Sequence, residues 1–346
     1  MFEQLIIIPI LIVLSTLKFL DYNYSSNTTY KFSRFGFLLL AIFFAVFVII
    51  PLGGSIGRIT DYLLVTNYNS AYNYSFGDKQ LFQSSLPKRI NNAAVPEISA
   101  LAYIIVDKNT QTILSEKNSM QKLPPASTTK MMTALTAYDL YDLDSMLLVP
   151  ATCTRGDNQK AGFQAGDYVS VRDLFFSLLV SSSGDAACAL ASGFVNTLGG
   201  EQLITYDKFI DLMNLKAASL NLDDTVFSNP IGLDDANGNH VSSAWDLYLL
   251  SVELTKNTLF KQIVQTKEYV LYLSNKKVIM TNTNKLLFDV EGTVGIKTGT
   301  TAGAGEVLVY EYNKDSTNIV IVVMGSSDRF TDTKNLLEWV ISSYKF

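Results

Sequence analysis

The chain has 346 residues, 48% of them hydrophobic and only 17% charged, with a mean hydropathy of +0.20. A formal net charge of −5 without a basic stripe or acidic tail argues against a nucleic-acid partner, and the high apolar fraction points to a chain partly in a membrane. One histidine, His240, and two cysteines, Cys153 and Cys188, can hardly supply a catalytic zinc site or the base of a Ser-His-Asp triad, so no metal or other cofactor is expected.

Two apolar runs come first. Residues 5–20 ("LIIIPILIVLSTLKFL") contain Pro9 and Lys18 and are short for a span of about twenty residues; residues 35–52 carry no charge and read as a transmembrane helix. Glu3 speaks against a cleaved signal peptide, whose leading region should be basic. Lys18, Lys31 and Arg34 would hold the segment between the runs in the cytoplasm. Everything after Leu52 is then outside, whether the first run spans the membrane or only lies in its interface. Residues 53–96, polar and scattered with Asn, Ser and Tyr, read as an extracytoplasmic stalk; flexible throughout, roughly 44 residues would reach about 35–40 Å.

Residues 97–346 read as one globular domain. Apolar stretches at 101–106 and 112–115 flank "DKNTQ" and predict a strand, a turn and a second strand. Pro124 and Pro125 can lead into a helix but not sit inside it, so the next helix should start at about Ala126 or Ser127. Ser170 and Asp173 form a capping box for a helix running to about Val180, followed by helices over 185–194, 206–220 and 244–255. The end reads as a hairpin, 306–312 and 318–324 around "NKDS", and a last helix over 332–344. Strands at both ends with helices between them predict an α/β domain of the α+β type. Its antiparallel sheet of N- and C-terminal strands would carry helices on its faces and an inserted helical lobe. His240 falls in the turn-rich "LDDANGNHVSS" and is expected in a surface loop. The two cysteines could pair in an extracytoplasmic domain, but the reading adopted is that they are reduced and partly buried.

Ser127 and Lys130 stand one helical turn apart in "PPASTTK". The bland account is an N-cap serine and a solvated lysine. The chemical account is a nucleophile at a helix start, where a developing alkoxide is favoured, with a base one turn on if the lysine is held neutral. Lys297-Thr298-Gly299 opens the terminal hairpin; a strand edge with Lys, Thr and then no side chain lets an extended peptide lie alongside and can hold a carboxylate. Ser181, Ser182 and Ser183, at a junction of two helices, could form a third polar wall.

Together these stretches resemble the D-alanyl-D-alanine carboxypeptidases, low-molecular-mass penicillin-binding proteins with a serine-peptidase, β-lactamase-like fold. The resemblance runs from about Ile98 to the last helix and includes S-x-x-K (Ser127 to Lys130), K-T-G (Lys297 to Gly299), "NPIGLDD" from Asn229 and "TNTNKLL" from Thr281. It implies Ser127 as nucleophile, Lys130 as general base and Ser182 as the group passing a proton to the leaving amine. Lys297 and Thr298, with Arg329 before the last helix, would bind the peptide's terminal carboxylate, and the backbone N–H groups of Ser127 and Thr300 would form the oxyanion hole. Two departures stand out. The family's S-x-N reads Ser182-Ser183-Gly184, so Gly184 takes the place of a substrate-contacting amide, and the chain stops after the catalytic domain, leaving anchoring to the N-terminal runs.

The implied function is a membrane-anchored, extracytoplasmic serine carboxypeptidase that trims D-alanine from peptidoglycan stem peptides ending in D-Ala-D-Ala and is acylated by β-lactams. The alternative is a peptidoglycan- or penicillin-binding protein with weakened catalysis. A β-lactamase of the class that needs a glutamate to activate the deacylating water is disfavoured, since no glutamate occurs between Gln202 and Val252.

Overall fold

The computed structural model describes residues 86–155, 161–197, 200–273 and 276–346. The two apolar runs and most of the stalk lie outside these residues, and among the described residues no helix is long and apolar enough to cross a membrane. The domain takes in the end of the segment read as stalk. A short strand β1 (Lys88–Arg89) pairs with the chain's last two-residue strand, and Trp339 Nε1 donates to Ala93 O at 3.1 Å.

Strands β2 (Ala102–Asp107) and β3 (Thr112–Lys117) follow as the apolar pattern predicts. After the double proline, residues Ala126–Thr129 make a 3₁₀ turn that runs straight into helix α1 (Lys130–Leu140). Ser127 does not cap this helix. Two hydroxyls bind carbonyls of the turn: Thr128 Oγ1 donates to Pro125 O at 2.6 Å, and Thr129 Oγ1 donates to Ala126 O at 2.8 Å. Strands β4 (Met146–Leu148) and β5 (Tyr168–Ser170) pair beside helix α2 (Val171–Leu179), whose Ser170 cap accepts from Asp173 N at 3.1 Å.

Helix α3 (Gly184–Leu190) is shorter than its alanine-rich sequence suggests. Tyr141 Oη donates to Leu190 O at 2.9 Å and closes the helix there, while its hydroxyl lies where a side chain at Gly193 would have to go. Phe194 therefore opens a strand, β6 (Phe194–Thr197), that turns back as β7 (Gly200–Leu203). Helices α4 (Tyr206–Ser219) and α5 (Ala244–Lys256) fall where expected, capped by Thr205 and Ser243. Helix α6 (Thr258–Gln265), the hairpin β8 (Glu268–Leu273) to β9 (Lys276–Thr281) and the short α7 (Leu286–Asp289) carry no sequence expectation. Strands β10 (Thr293–Thr301), β11 (Gly305–Lys314) and β12 (Thr317–Ser326) precede helix α8 (Arg329–Ser343), which Asp328 caps, and strand β13 (Tyr344–Lys345).

The main sheet has the order β10-β11-β12-β2-β3, antiparallel throughout, so the N-terminal strands complete a sheet begun by the C-terminal ones. Every residue of β2 is buried, because both faces of the sheet are covered. Ile104, Val106, Val309 and Val322 face the helical lobe, while Tyr103, Ile105, Tyr310 and Ile321 face α8 with Leu336 and Trp339. This period of two divides the core into two clusters. Strand β10 stands at the sheet's edge, and it is this edge that meets the 3₁₀ turn bearing Ser127.

Two expectations are corrected. Cys153 and Cys188 are joined in a disulfide, with a Cα–Cα distance of 5.4 Å, tying the loop after β4 to α3. His240 is 2% exposed, because the turn-rich segment around it folds back under the start of α1.

Candidate active site

Ser127 is the half-exposed residue of a turn whose neighbours are buried, so its hydroxyl faces outward from a rigid base. Ala126, just before it, has φ +49°, a left-handed conformation uncommon for a residue with a side chain. Lys130 Nζ lies 2.9 Å from Ser127 Oγ and 2.6 Å from Ile231 O, and the side chain is 1% exposed. Burial lowers its pKa from 10.5 to about 7, partly opposed by the Asp185 carboxylate. A neutral amine within hydrogen-bonding reach of a hydroxyl can take its proton at neutral pH.

The acceptor Ile231 O is held in place by "NPIGL". Asn229 Oδ1 accepts from the backbone N–H groups of Ile231, Gly232 and Leu233 at 3.2, 2.7 and 3.0 Å. Gly232 has φ +90°, and a Cβ there would stand 2.0 Å from Ala126 O, so the loop's backbone presses directly on the nucleophile's turn. The sequence shows this stretch as a signature but gives it no role; the structure makes it the wall that fixes Lys130.

Ser182, between α2 and α3, has φ +61°, a left-handed conformation uncommon for a residue with a side chain. Its Oγ accepts from Lys297 Nζ at 2.8 Å, and the same Nζ donates to Thr298 O at 2.9 Å. Lys297 is itself 1% exposed, and burial followed by the nearby charges of Lys130 and Arg329 pushes its pKa well below the usual lysine value. Lys297 is thus turned inward to Ser182. Thr298 Oγ1 shares a 2.6 Å hydrogen bond with Thr283 Oγ1 of "TNTNKLL". Arg329, at the first turn of α8, donates from Nη1 to Gly299 O at 2.8 Å and to Thr300 Oγ1, which places a guanidinium beside the outer end of β10. The Arg329 guanidinium, with the hydroxyls of Thr298 and Thr300 beside it, is suited to a carboxylate approaching that edge.

Gly299 fits its position for a steric reason. A Cβ on it would lie 2.9 Å from Ser127 N and from Ala126 Cβ, and 3.1 Å from Pro125 O. The edge strand and the serine turn thus approach as closely as backbone allows. The residues singled out in the sequence, Ser127, Lys130, Ser182, Lys297, Thr298, Gly299, Thr300 and Arg329, are brought to this one edge.

Gly184 opens α3 two residues after Ser182 and lines a cavity of about 400 Å³ with Ile231, Arg155, Tyr206 and Cys188. Neither neighbour takes the place of an amide side chain. Ser183 Oγ accepts from Ala186 N at 3.1 Å, and Asp185 accepts from the backbone of Ala161 and Gly162 at 3.0 and 3.1 Å. Gly184→Asn is expected to speed acyl transfer to Ser127 about ten- to a hundredfold, by adding a hydrogen bond to a developing charge of roughly 1.5–3 kcal/mol. Steady-state kinetics on both forms, with circular dichroism to compare folding, decides it; a well-folded variant no faster than the parent contradicts it.

An antiparallel sheet, an inserted helical lobe and a Ser–Lys pair against the sheet's edge strand are the architecture of a penicillin-binding protein. Comparison with known proteins narrows this. The family described as D-alanyl-D-alanine carboxypeptidase matches residues 89–328. The chain is 33% identical over 265 residues or fewer to Escherichia coli carboxypeptidases, among them DacC over 263 residues, covering 70% of this chain and 62% of that protein. It is 29% identical over 255 residues to Bacillus subtilis DacF, covering 71% of this chain and 63% of the relative. The chain therefore spans a little under two thirds of the length of these two relatives. The crystal structure of a D-alanyl-D-alanine carboxypeptidase from Mycobacterium tuberculosis superposes with a TM-score of 0.66 at 28% identity, over 74% of this chain and 96% of that one. The chain belongs to the D-alanyl-D-alanine carboxypeptidase family.

Proposed function

We propose that this protein is a membrane-anchored serine D,D-carboxypeptidase that removes the terminal D-alanine from peptidoglycan stem peptides through an acyl-enzyme on Ser127. The observation that carries the proposal is the buried Lys130 amine, 2.9 Å from Ser127 Oγ and with its pKa lowered to about 7. In the first step Lys130 takes the Ser127 proton and Oγ bonds to the carbonyl carbon of the penultimate D-Ala. The N–H groups of Ser127 and Thr300 receive the oxyanion. As the tetrahedral intermediate collapses the C–N bond breaks, and the proton that Lys130 took from Ser127 passes through Ser182 to the departing amine, leaving Lys130 neutral again. Water then attacks the ester with Lys130 again as base, releasing the shortened peptide. Thr298 and Arg329 hold the terminal carboxylate, and a β-lactam would be captured at the same serine.

The two apolar runs support a membrane anchor, and Lys18, Lys31 and Arg34 support a domain facing outward. The Cys153–Cys188 disulfide is in keeping with an oxidising compartment. Gly184 favours one second reading, a wall-peptide-binding protein with weak turnover. Incubation with a peptide ending in D-Ala-D-Ala separates the two. Stoichiometric excess release of free D-alanine by the parent, lost in Ser127→Ala, is expected; binding of the peptide without release would favour the second reading.

A further inference from the structure

The chain's single histidine lies beneath the nucleophile's turn, and the proton positions around it can be worked out. Ser228 N, a backbone amide that can only donate, lies 3.0 Å from His240 Nδ1, so Nδ1 is an unprotonated acceptor. In a neutral ring the proton is then on Nε2. That atom lies 2.8 Å from Thr129 Oγ1, and the hydroxyl's own proton goes to Ala126 O at 2.8 Å. Every donor in this chain of bonds has one acceptor and all point the same way, from the Ser228 amide through the imidazole and the threonine to the Ala126 carbonyl. Each bond therefore polarises the next.

That carbonyl is a significant end point. Ala126 holds the left-handed φ of +49° immediately before Ser127, and its oxygen is pressed from the other side by the Gly232 backbone. A peptide plane in a sparsely populated conformation persists only where its surroundings dictate it. The same plane carries the Ser127 N–H, assigned above to the oxyanion hole, because the carbonyl of Ala126 and the amide of Ser127 belong to one peptide unit. We infer that His240 is a positioning residue. Through Thr129 it fixes the Ala126–Ser127 peptide plane, and with it the direction of the oxyanion-hole N–H and the nucleophile.

The ring is suited to this only while neutral, since a second proton on Nδ1 would face the Ser228 N–H, donor against donor. Burial holds its pKa down at about 4, against the opposing pull of Asp235 and then Asp234, while Phe227 packs beside it. The inference rests on the proposed role of Ser127, and its test is built to fail separately.

With ¹⁵N-labelled histidine the protein gives one pair of ring nitrogen signals. They should report the Nε2–H tautomer from pH 5 to 8, before and after penicillin is added; an Nδ1–H tautomer or an imidazolium at pH 6 would overturn the inference whatever the activity. His240→Phe, which fills the space without bonding, and Thr129→Val, which keeps the volume and removes the hydroxyl, should each slow acylation by a penicillin tenfold or more. Noncovalent affinity for the reagent should change less than threefold, and His240→Gln, whose amide can both accept and donate, should recover most of the rate. A folded Phe or Val variant acylated at the parental rate overturns the inference while leaving the Ser127 reading intact; a parent never acylated would instead remove that reading.

Discussion

Lys130→Arg is expected to slow acylation of Ser127 by at least about a hundredfold, within the usual range for loss of a general base. The parent amine is buried and its pKa is lowered to about 7, so its unprotonated fraction, and the acylation rate with it, should climb as pH rises through 7 and level off above. Arginine stays charged across that range and offers no lone pair. Its rate should therefore lack the rise near pH 7. The change keeps a cation near Ile231 O and Ser127, so it removes the base without deleting the side chain's bulk. Rapid-quench labelling with a fluorescent penicillin from pH 5.5 to 9 measures both quantities. A parental rate in the variant, or a parent whose rate falls as pH rises through 7, would rule out Lys130 as the base.

Gly299→Ala should cost a similar amount for a different reason. The added methyl would stand 2.9 Å from Ser127 N and from Ala126 Cβ, both parts of a turn braced by Pro125 and by the Gly232 loop. None of these is the free end of a flexible side chain, so the edge strand must retreat. A shift of even a few tenths of an ångström separates the Thr300 N–H from the Ser127 N–H, and loss of one oxyanion donor costs about 10²–10³ in rate. The expected signature is a fall in kcat with the melting temperature changed little, because β10 is paired to a neighbouring strand on one side only and can shift. Kinetics and calorimetry on the purified variant check it; unchanged kcat would show that the strand and the turn are less tightly apposed than their backbones indicate.

Much of this arrangement was legible in the sequence because it rests on local chemistry. The double proline fixes where the turn before α1 begins, the apolar alternation of 306–324 gives the terminal hairpin, and Ser170 with Asp173 marks the start of α2. The motif residues could be read because they stand together in short stretches, "STTK" and "KTG", whose spacing is visible in the sequence. What stayed hidden depends on contacts between distant segments. Nothing near Cys153 reveals that Cys188 comes to it, and the Asn and Gly residues around His240 signal an exposed turn although tertiary packing buries the ring. Helix α3 ends early because of Tyr141, some fifty positions away in a different element. The inward turn of Lys297 is likewise a tertiary matter, since its Nζ donates to Ser182 Oγ, far away in the sequence.

The central claim is that Ser127 becomes the acyl-enzyme. The most direct measurement is mass spectrometry of the protein after brief exposure to a β-lactam or a D-Ala-D-Ala thioester, with proteolysis and sequencing of the modified peptide. The adduct should sit on Ser127 in "LPPASTTK", at one per chain, and disappear in Ser127→Ala, which should keep the fold because the hydroxyl caps nothing. An adduct on Ser181, Ser182, Ser183 or any other residue, or a folded parent that takes up no label, would contradict the account.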